Sequence, residues 1–386
     1  MPQCSAESVQ WKQRRGFRLS NRQIEITVLL GGGHVADLRL CSSPINALWE
    51  APWATIEPYQ FSDPDHAALY GERAIGQMLS GYTGHALALG YFGMPSTVQT
   101  QQGLSLHGEA ASAEWHVADA TATDSFACLT LEVELPISNL HFRRTLRLSA
   151  VAFTVSVEES VSNRSAQARD MQWVQHAAFG EPLFSIGNAS LSLSAQRGIT
   201  WPLGYEGREC LPANQLFEWP TVASPHGEID LSSPFVREGS GFVAAVRTNP
   251  RHHDAFIAVH NRRLALAAGY LFDARRFPWI ALWEENRART DPPWNGITRV
   301  RGVEFGTSPM PLGLEHAQEM RTLFDTPVLA TIAGRAELTT AYQIFVTSVP
   351  PHWQRVQQVR RIGDELVLHS DRCTQLAIRS SANSDR

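Results

Sequence analysis

The sequence predicts an all-β protein built from large antiparallel sheets with few, short helices. Apolar and polar residues alternate with period two in many short segments, for example 145–148 and 154–158, which is typical of strands with one solvated face. Turn-forming segments such as 136–139 and 162–165 separate these runs. Because strands and helices do not alternate along the chain, a parallel βαβ sheet is not expected. The pattern favours a large antiparallel sandwich or barrel.

The individual elements follow from the same periodicity. Strands are predicted at residues 24–30, 35–40, 126–135, 141–148, 153–161, 171–177, 241–247, 254–259, 264–272, 280–284, 299–305, 337–347 and 365–368. The glycines 31–33 lie between two of these runs and predict a tight turn. Short helices are predicted near residues 67–79, 314–322 and 353–359. Residues 42–102 are rich in Pro, Gly, Ser and aromatic residues, and they predict long loops that cover a sheet or shape a pocket mouth.

Composition points to a soluble globular chain of 386 residues with 43% hydrophobic and 18% charged residues. We expect one domain over residues 1–386, with residues 1–20 and 373–386 as peripheral or flexible tails. The net charge of −5 gives no general attraction to nucleic acid or to an anionic membrane. The first twenty residues lack the apolar run of a secretory signal, and no apolar stretch is long enough to span a membrane. These observations predict a cytoplasmic protein with a small-molecule partner.

Lysine is nearly absent from this chain, since Lys12 is the only one. Schiff-base chemistry, pyridoxal-phosphate anchoring and P-loop phosphate binding each need a well-placed lysine, so these classes of protein become improbable. The five cysteines are widely spaced and form no zinc or redox motif. Two His–Asp clusters, at residues 63–66 and 252–254, also lack the spacing of a metal site. The sequence therefore predicts neither a metal nor an organic cofactor.

Three short segments carry candidate acid–base residues. His107 precedes Gly108, whose missing side chain would allow close approach of a ligand or a strand. His176 lies at the end of an apolar strand and is followed by Phe179 and Gly180. Glu304 lies between Val303 and Phe305 in a strand-like run, where an unpaired carboxylate would be costly to bury. Arg299 and Arg301 could pair with Glu304, but they project to the opposite face of a regular strand.

The order and neighbours of these segments resemble the aldose 1-epimerase family, the galactose mutarotase-like proteins. That family has a His-Gly pair, then a His-x-x-Phe segment after a long β run, then a Gly-x-x-Glu strand near the C-terminus. The resemblance covers roughly residues 20–370 and implies a β-supersandwich of two large sheets with a sugar pocket on a concave face. It also implies interconversion of the α and β anomers of a free aldose without a cofactor. Glu304 would be the general base, His176 the general acid, and His107 would stabilise the opening ring.

The same resemblance suggests further residues that bind the sugar. Trp283 ends a strand that starts at a proline, and an indole stacks well on the C–H face of a sugar, although core packing is an equal alternative. Phe179 is a second aromatic candidate. Glu109, where many mutarotases have a small residue, could bind a hydroxyl or orient His107. The substrate-binding aspartate of the family is left open among Asp254, Asp273 and Asp291.

Three alternatives to a free-sugar epimerase remain open at the level of sequence. One is a hexose-phosphate epimerase, with phosphate partners among Arg275, Arg276, Arg299 and Arg301. Another is a different carbohydrate-active enzyme on the same scaffold, because fold does not fix function. The last is a sugar-binding protein without catalysis, which would need the aromatic residues but no acid–base pair.

Overall fold

A computed structural model describes residues 3–225, 227–249 and 251–381. The first strands along the chain are β1 (Ser5–Trp11), β2 (Arg14–Ser20), β3 (Ile24–Leu29), β4 (Val35–Leu40), β5 (His85–Gly90), β6 (His116–Ala122), β7 (Phe126–Leu135), β8 (Leu140–Ser149), β9 (Thr154–Asn163), β10 (Arg169–Phe179), β11 (Ala189–Leu193), β12 (Ala195–Thr200) and β13 (Leu216–Glu218). They are followed by β14 (Thr221–Ser224), β15 (Gly227–Asp230), β16 (Ser240–Thr248), β17 (Asp254–Asn261), β18 (Leu266–Asp273), β19 (Trp279–Asn286), β20 (Arg299–Gly306), β21 (Thr322–Leu323), β22 (Thr326–Pro327), β23 (Ala330–Ile332), β24 (Glu337–Ser348), β25 (Val356–Ile362), β26 (Glu365–Ser370) and β27 (Gln375–Arg379).

Helices are few and short, as the sequence predicts. They are α1 (Asp63–Tyr70), α2 (Arg73–Gly81), α3 (Thr97–Gln101) and α4 (Leu314–Met320), with one 3₁₀ turn at Pro58–Gln60. The helix expected over 67–79 is thus two helices, with Gly71 between them at φ 91°. No helix in the described part of the chain is long and apolar enough to cross a membrane.

Two large antiparallel sheets face each other. The 14-stranded sheet has the order β1-β2-β3-β4-β5-β10-β20-β19-β16-β12-β13-β14-β15, with β23 also paired to β10, and the 8-stranded sheet has the order β11-β17-β18-β24-β9-β8-β7-β6. A small sheet of β25, β26 and β27 packs on β17. The main hydrophobic cluster draws residues from both large sheets, and Phe305 of one packs against Tyr342 of the other at 5.4 Å between ring centres. The sheets form a β-sandwich, one of the two architectures that the sequence pattern favours and the one that the family resemblance implies.

Several details differ from the sequence predictions. Residues 5–20 form two strands of the large sheet instead of a tail, and Arg14 is buried, donating to the Gly81 carbonyl at 2.6 Å. Residues 375–379 likewise form β27, whereas 382–386 lie outside the described residues. The predicted loop region 42–102 contains β5, a central strand beside β10. The helix predicted over 353–359 is wrong, because β25 begins at Val356, and the His–Asp cluster at residues 63–66 forms the start of α1.

A polar network lies buried between the two large sheets. Arg144 of β8 donates to Glu159 of β9 at 2.7 Å and to the Gly33 carbonyl at 2.9 Å, and both charged side chains are fully buried. Gln175 of β10 donates to the second Glu159 oxygen at 2.6 Å. The network joins strands of both sheets, and its alignment depends on the register of β10.

We expect Arg144→Met to destabilise the protein by about 3–5 kcal/mol, because it leaves the Glu159 carboxylate buried without its cation. Arg143→Met on the same strand is the matched control, since Arg143 is half exposed and pairs with Glu132 at the surface. That change should cost under about 1 kcal/mol. Denaturant unfolding measures both, and equal losses for the two variants would contradict the role given to the buried pair.

Candidate active site

His176 and Glu304 face each other on adjacent central strands. The register of β10 and β20 pairs Val174 with Gly306 and Ala178 with Gly302, so the two residues lie opposite each other midway between these pairs. Their side chains point away from the core, because Gln175 and Phe305 on the other face belong to the sheet interface. The His176 Nε2 and Glu304 Oε1 atoms are 3.3 Å apart, and both residues are buried.

Small residues make room for the carboxylate. A Cβ atom on Gly302 would lie 2.4 Å from Glu304 Oε1, so any side chain there would displace the carboxyl group. On the other neighbouring strand, β19, the residue opposite Glu304 is Ala281. In this chain Gly302 precedes Glu304 by two positions, one fewer than in the Gly-x-x-Glu pattern of the family. This spacing has a steric reason, because residues two apart lie on the same face of a strand.

His107 completes the group from a loop. It lies in a turn after α3, not on a strand, and its ring centre is 4.8 Å from that of His176. The His107 Nδ1 atom accepts the Gly93 N–H at 3.2 Å, so in the neutral ring Nε2 carries the proton. Gly108 follows at φ 91°, and a Cβ there would lie 2.3 Å from the Leu89 carbonyl oxygen. The close approach predicted for Gly108 is thus made by a strand.

Tyr82 binds Nδ1 of His176, the ring nitrogen other than the one that faces Glu304. Its hydroxyl forms a 2.9 Å hydrogen bond with His176 Nδ1, and its ring meets the imidazole edge-on. Phe92 stacks on His107 with 5.2 Å between ring centres. Both imidazoles therefore have a fixed orientation, with His176 Nε2 directed at Glu304.

Burial shifts the pKa values of Glu304, His176 and His107. It raises the pKa of the Glu304 carboxyl well above its usual range and lowers the pKa of His176 to about 4. The pKa of His107 is also held well below its usual range, first by burial and then by His176. Burial thus favours the uncharged form of the pair, protonated Glu304 beside neutral His176, in which the two residues hold one proton.

The pair lies at the floor of a cavity of about 530 Å³. Trp283 forms part of its wall and is held in place, since its Nε1–H donates to the Tyr205 hydroxyl at 2.8 Å. Tyr205 in turn donates to Glu285 at 3.0 Å. Other lining residues come from α1, α2 and the loops around Met94, Trp201 and Trp294. The predicted loop region 42–102 therefore does contribute to the pocket mouth.

Two predicted sugar-binding residues lie elsewhere. Phe179 is fully buried between the sheets and packs on Tyr270. It is three positions from His176, an odd number, so the two side chains point to opposite faces of β10. Glu109 binds the protein itself, because the Ile137 and Ser138 N–H groups donate to its carboxylate at 3.1 and 2.9 Å. Neither residue lines the cavity.

The structure places the candidate aspartates and arginines relative to the cavity. Asp291 lines the cavity, whereas Asp254 and Asp273 lie opposite each other on β17 and β18 and are not among its lining residues. None of the four arginines considered as phosphate partners is among the residues that line the cavity beside His176 and Glu304. Arg301 is fully buried on the opposite face and pairs with Glu284.

Sequence reasoning missed Tyr82, Tyr205, Arg289 and Trp294 as lining residues. Arg289 lies over the ring of Tyr205 at 4.6 Å and is paired with Glu206 and Glu285. The sequence gives little indication of these residues. Tyr82 lies in the segment Gly81-Tyr82-Thr83-Gly84, and the others belong to irregular loops without a periodic pattern. Among residues 3–225, 227–249 and 251–381, His, Cys, Asp and Glu side chains form no cluster of three suited to a metal.

The fold matches solved structures of mutarotase-like proteins. The "putative aldose 1-epimerase" of Klebsiella pneumoniae subsp. pneumoniae aligns with a TM-score of 0.60 and 18% identity, over 88% of this chain and 83% of that one. A galactose mutarotase-like protein of Clostridium acetobutylicum aligns with a TM-score of 0.58 and 13% identity, over 90% and 98%. A galactose mutarotase-like protein of Lactobacillus casei gives 0.52 and 12%, over 86% and 100%. The predicted galactose mutarotase-like fold is confirmed.

At the level of sequence, no curated protein matches this chain. One family does, under the description "Domain of unknown function (DUF4432)", and the match spans residues 38–308. That span includes His107, His176, Trp283 and Glu304. The chain belongs to the DUF4432 family, and it has the galactose mutarotase-like β-sandwich fold.

Proposed function

We propose that the cavity binds a reducing sugar and that His176 and Glu304 interconvert its α and β anomers. The observation that carries this proposal is the 3.3 Å separation of an imidazole and a carboxyl group at the floor of a cavity, with a second imidazole beside them. The hydroxyl at C1 and the ring oxygen are bonded to the same carbon. Two groups that serve these oxygens must therefore be close neighbours. The similar structure from Klebsiella pneumoniae, described as that of a putative aldose 1-epimerase, also supports the proposal.

The reaction needs one base and one acid at the same time. In the reactive form of the pair its single proton lies on His176: ionised Glu304 takes the proton of the C1 hydroxyl while His176 gives its proton to the ring oxygen, so the C1–O5 bond breaks and a C1=O1 double bond forms. The pair then stands as protonated Glu304 and neutral His176. Burial favours this state, because it carries no charge. His107 donates from Nε2 to the opening ring oxygen.

Rotation about the C1–C2 bond presents the other face of the aldehyde, and ring closure reverses each proton transfer. Glu304 returns its proton to O1, and His176 recovers one from the C5 hydroxyl. The pair holds one proton before the reaction and the same number after closure. Trp283 supplies an apolar wall for the sugar C–H face, since its indole nitrogen is already bonded to Tyr205.

Removing either member of the pair should stop catalysis while leaving sugar binding largely intact. We expect Glu304→Gln and His176→Asn each to lower the turnover number by on the order of 10² or more, with little change in sugar affinity. The double variant should lose less than the product of the two single losses, because both groups act in one step. Anomer exchange by NMR and sugar titration measure the two quantities.

Glu238→Gln and His141→Asn are matched controls, since both residues lie outside the cavity and Glu238 pairs with surface arginines. Circular dichroism should show a wild-type fold for all variants. Near-wild-type exchange rates in both single variants would leave sugar binding without catalysis as the better account.

The pH dependence follows from the shared proton. The value of kcat/KM should stay constant from pH 7 down to about 5 and fall only as the pair takes up a second proton, because burial lowers the pKa of His176 to about 4. On the alkaline side the rate should fall where the pair loses its last proton, above the usual range of a carboxyl group because the pKa of Glu304 is raised. An acid limb centred near the ordinary histidine pKa of about 6.5 would contradict this assignment.

Tyr82 is proposed as a positioning residue for His176. Tyr82→Phe removes the hydrogen bond to Nδ1. We expect the turnover number to fall by about tenfold, because one hydrogen bond lowers the activation free energy by about 1.4 kcal/mol. The ¹⁵N spectrum of His176 should show a changed mixture of tautomers. Tyr70→Phe is the control: it removes a buried hydroxyl that donates to the Ala54 carbonyl at 2.7 Å. An unchanged His176 spectrum in Tyr82→Phe would remove Tyr82 from the account.

A further inference from the structure

The cavity is larger than a single sugar ring requires. A hexose displaces roughly the volume of six water molecules, about 180 Å³ at ~30 Å³ each. The cavity of about 530 Å³ therefore leaves most of its space unfilled when one ring occupies the floor beside His176 and Glu304. We call the remaining space, which is lined by residues of α1 and α2 and of the loops that carry Trp201 and Trp294, the outer space.

The tyrosine hydroxyls and the guanidinium around this outer space are engaged within the protein, whereas the carboxylate of Asp291 is exposed to solvent. The hydroxyl of Tyr70 donates to the Ala54 carbonyl, and the hydroxyl of Tyr205 both donates to Glu285 and accepts from Trp283. Both tyrosines therefore offer ring surface to a ligand. A second sugar ring in the outer space would lose hydrogen bonds to water and recover few of them, which is costly for hydroxyl groups.

Arg289, the cationic lining residue described above, is also engaged. It donates to Glu206 at 3.0 Å and lies 3.6 Å from a Glu285 oxygen. Its guanidinium also covers the rings of Tyr205 and Trp294 at 4.6 and 5.3 Å. An anionic ligand group would have to compete with two carboxylates for this cation.

Large apolar side chains stand exposed at the mouth. Leu203 is 59% exposed, Met94 is 47% exposed and Ile75 is 39% exposed, and all three line the cavity. They come from three separate segments: α2, the loop after β5, and the loop after β12. Exposed apolar residues that converge on one opening mark a site for an apolar ligand group. Trp294 also lines the cavity and meets Trp283 with 5.8 Å between ring centres, and Trp201 packs on the same hydrophobic cluster as Trp283.

We propose that the substrate is a reducing sugar that carries an apolar group, aryl or alkyl, on an oxygen other than O1. This inference rests on the proposed function, because anomer interconversion requires a free hydroxyl at C1. The sugar ring occupies the floor beside His176, Glu304 and Trp283. The apolar group lies in the outer space against Trp201 and Trp294 and reaches Leu203, Met94 and Ile75 at the mouth.

The test compares ligands that differ only in this group. The unsubstituted probes are D-glucose and D-galactose, and the apolar probes are their benzyl ethers at O2, O3, O4 or O6. Reducing disaccharides linked through the same oxygens place a second sugar in the same space. We expect at least one benzyl ether to bind tenfold or more tighter than its parent sugar, by calorimetry or quenching of tryptophan fluorescence, and tighter than the matching disaccharide. The inference is overturned if all eight ethers bind no tighter than their parents, or if the disaccharides bind tighter than the ethers.

A substitution at the mouth locates the apolar group. Leu203→Ser should weaken binding of the preferred benzyl ether by about fivefold to tenfold and leave binding of the unsubstituted sugar unchanged. Val151→Ser is the matched control, because Val151 is equally exposed in the turn between β8 and β9, away from the cavity. Equal effects of the two substitutions would place the apolar group elsewhere and contradict the inference.

Anomer exchange of the same sugars separates the two proposals. Tight binding of a benzyl ether without faster exchange would remove the proposed catalysis and support the apolar site. Faster exchange of the parent sugars without any preference for the ethers would support the catalysis and overturn the apolar substrate.

Discussion

The contact between His176 and Glu304 depends on the register of two antiparallel strands. Because side chains alternate along a strand, a slip of β10 against β20 by one residue would turn one partner into the core and leave the other buried alone in the cavity floor. A buried carboxyl group without a partner is costly to keep ionised. The acid–base pair is thus a property of the whole sheet, and Gly302 adds the space in which the carboxylate lies.

The opposite face of β10 helps to hold this register. Gln175, next to His176 in the chain, is tied to Glu159 and through it to Arg144 in the facing sheet. A shifted strand would separate these buried partners, so alternative registers are disfavoured by several kcal/mol. Stability and chemistry are linked here: the polar network between the sheets fixes the strand whose outer face carries His176.

Local sequence patterns predicted the long strands β7 to β10 well, because period-two alternation is a local property. Local patterns also indicated His107, His176 and Glu304, which the structure brings together, and their acid–base roles stay a prediction. These local patterns did not detect several other strands and side-chain contacts. Residues 85–90 form a strand through pairing with the distant strand β10. Residues 5–20 and 356–370 form local hairpins, β1 with β2 and β25 with β26, which the period-two pattern did not reveal. Phe179 is a candidate from the family spacing, but its odd offset from His176 places its side chain on the opposite face of β10. The carboxylate of Glu109 accepts from the N–H groups of Ile137 and Ser138, which lie in a turn that the chain reaches only after β7, so this contact is not visible in the local sequence.

The central claim is that the cavity opens a sugar ring by moving protons, without displacing the oxygen at C1. Anomer exchange of a reducing sugar in ¹⁸O-labelled water, followed by NMR and mass spectrometry, tests it directly. The account predicts that the protein accelerates exchange between the anomers while O1 keeps its original isotope on the same time scale. Exchange at the rate of buffer alone, or exchange accompanied by incorporation of solvent ¹⁸O at C1 in step with each turnover, would contradict it.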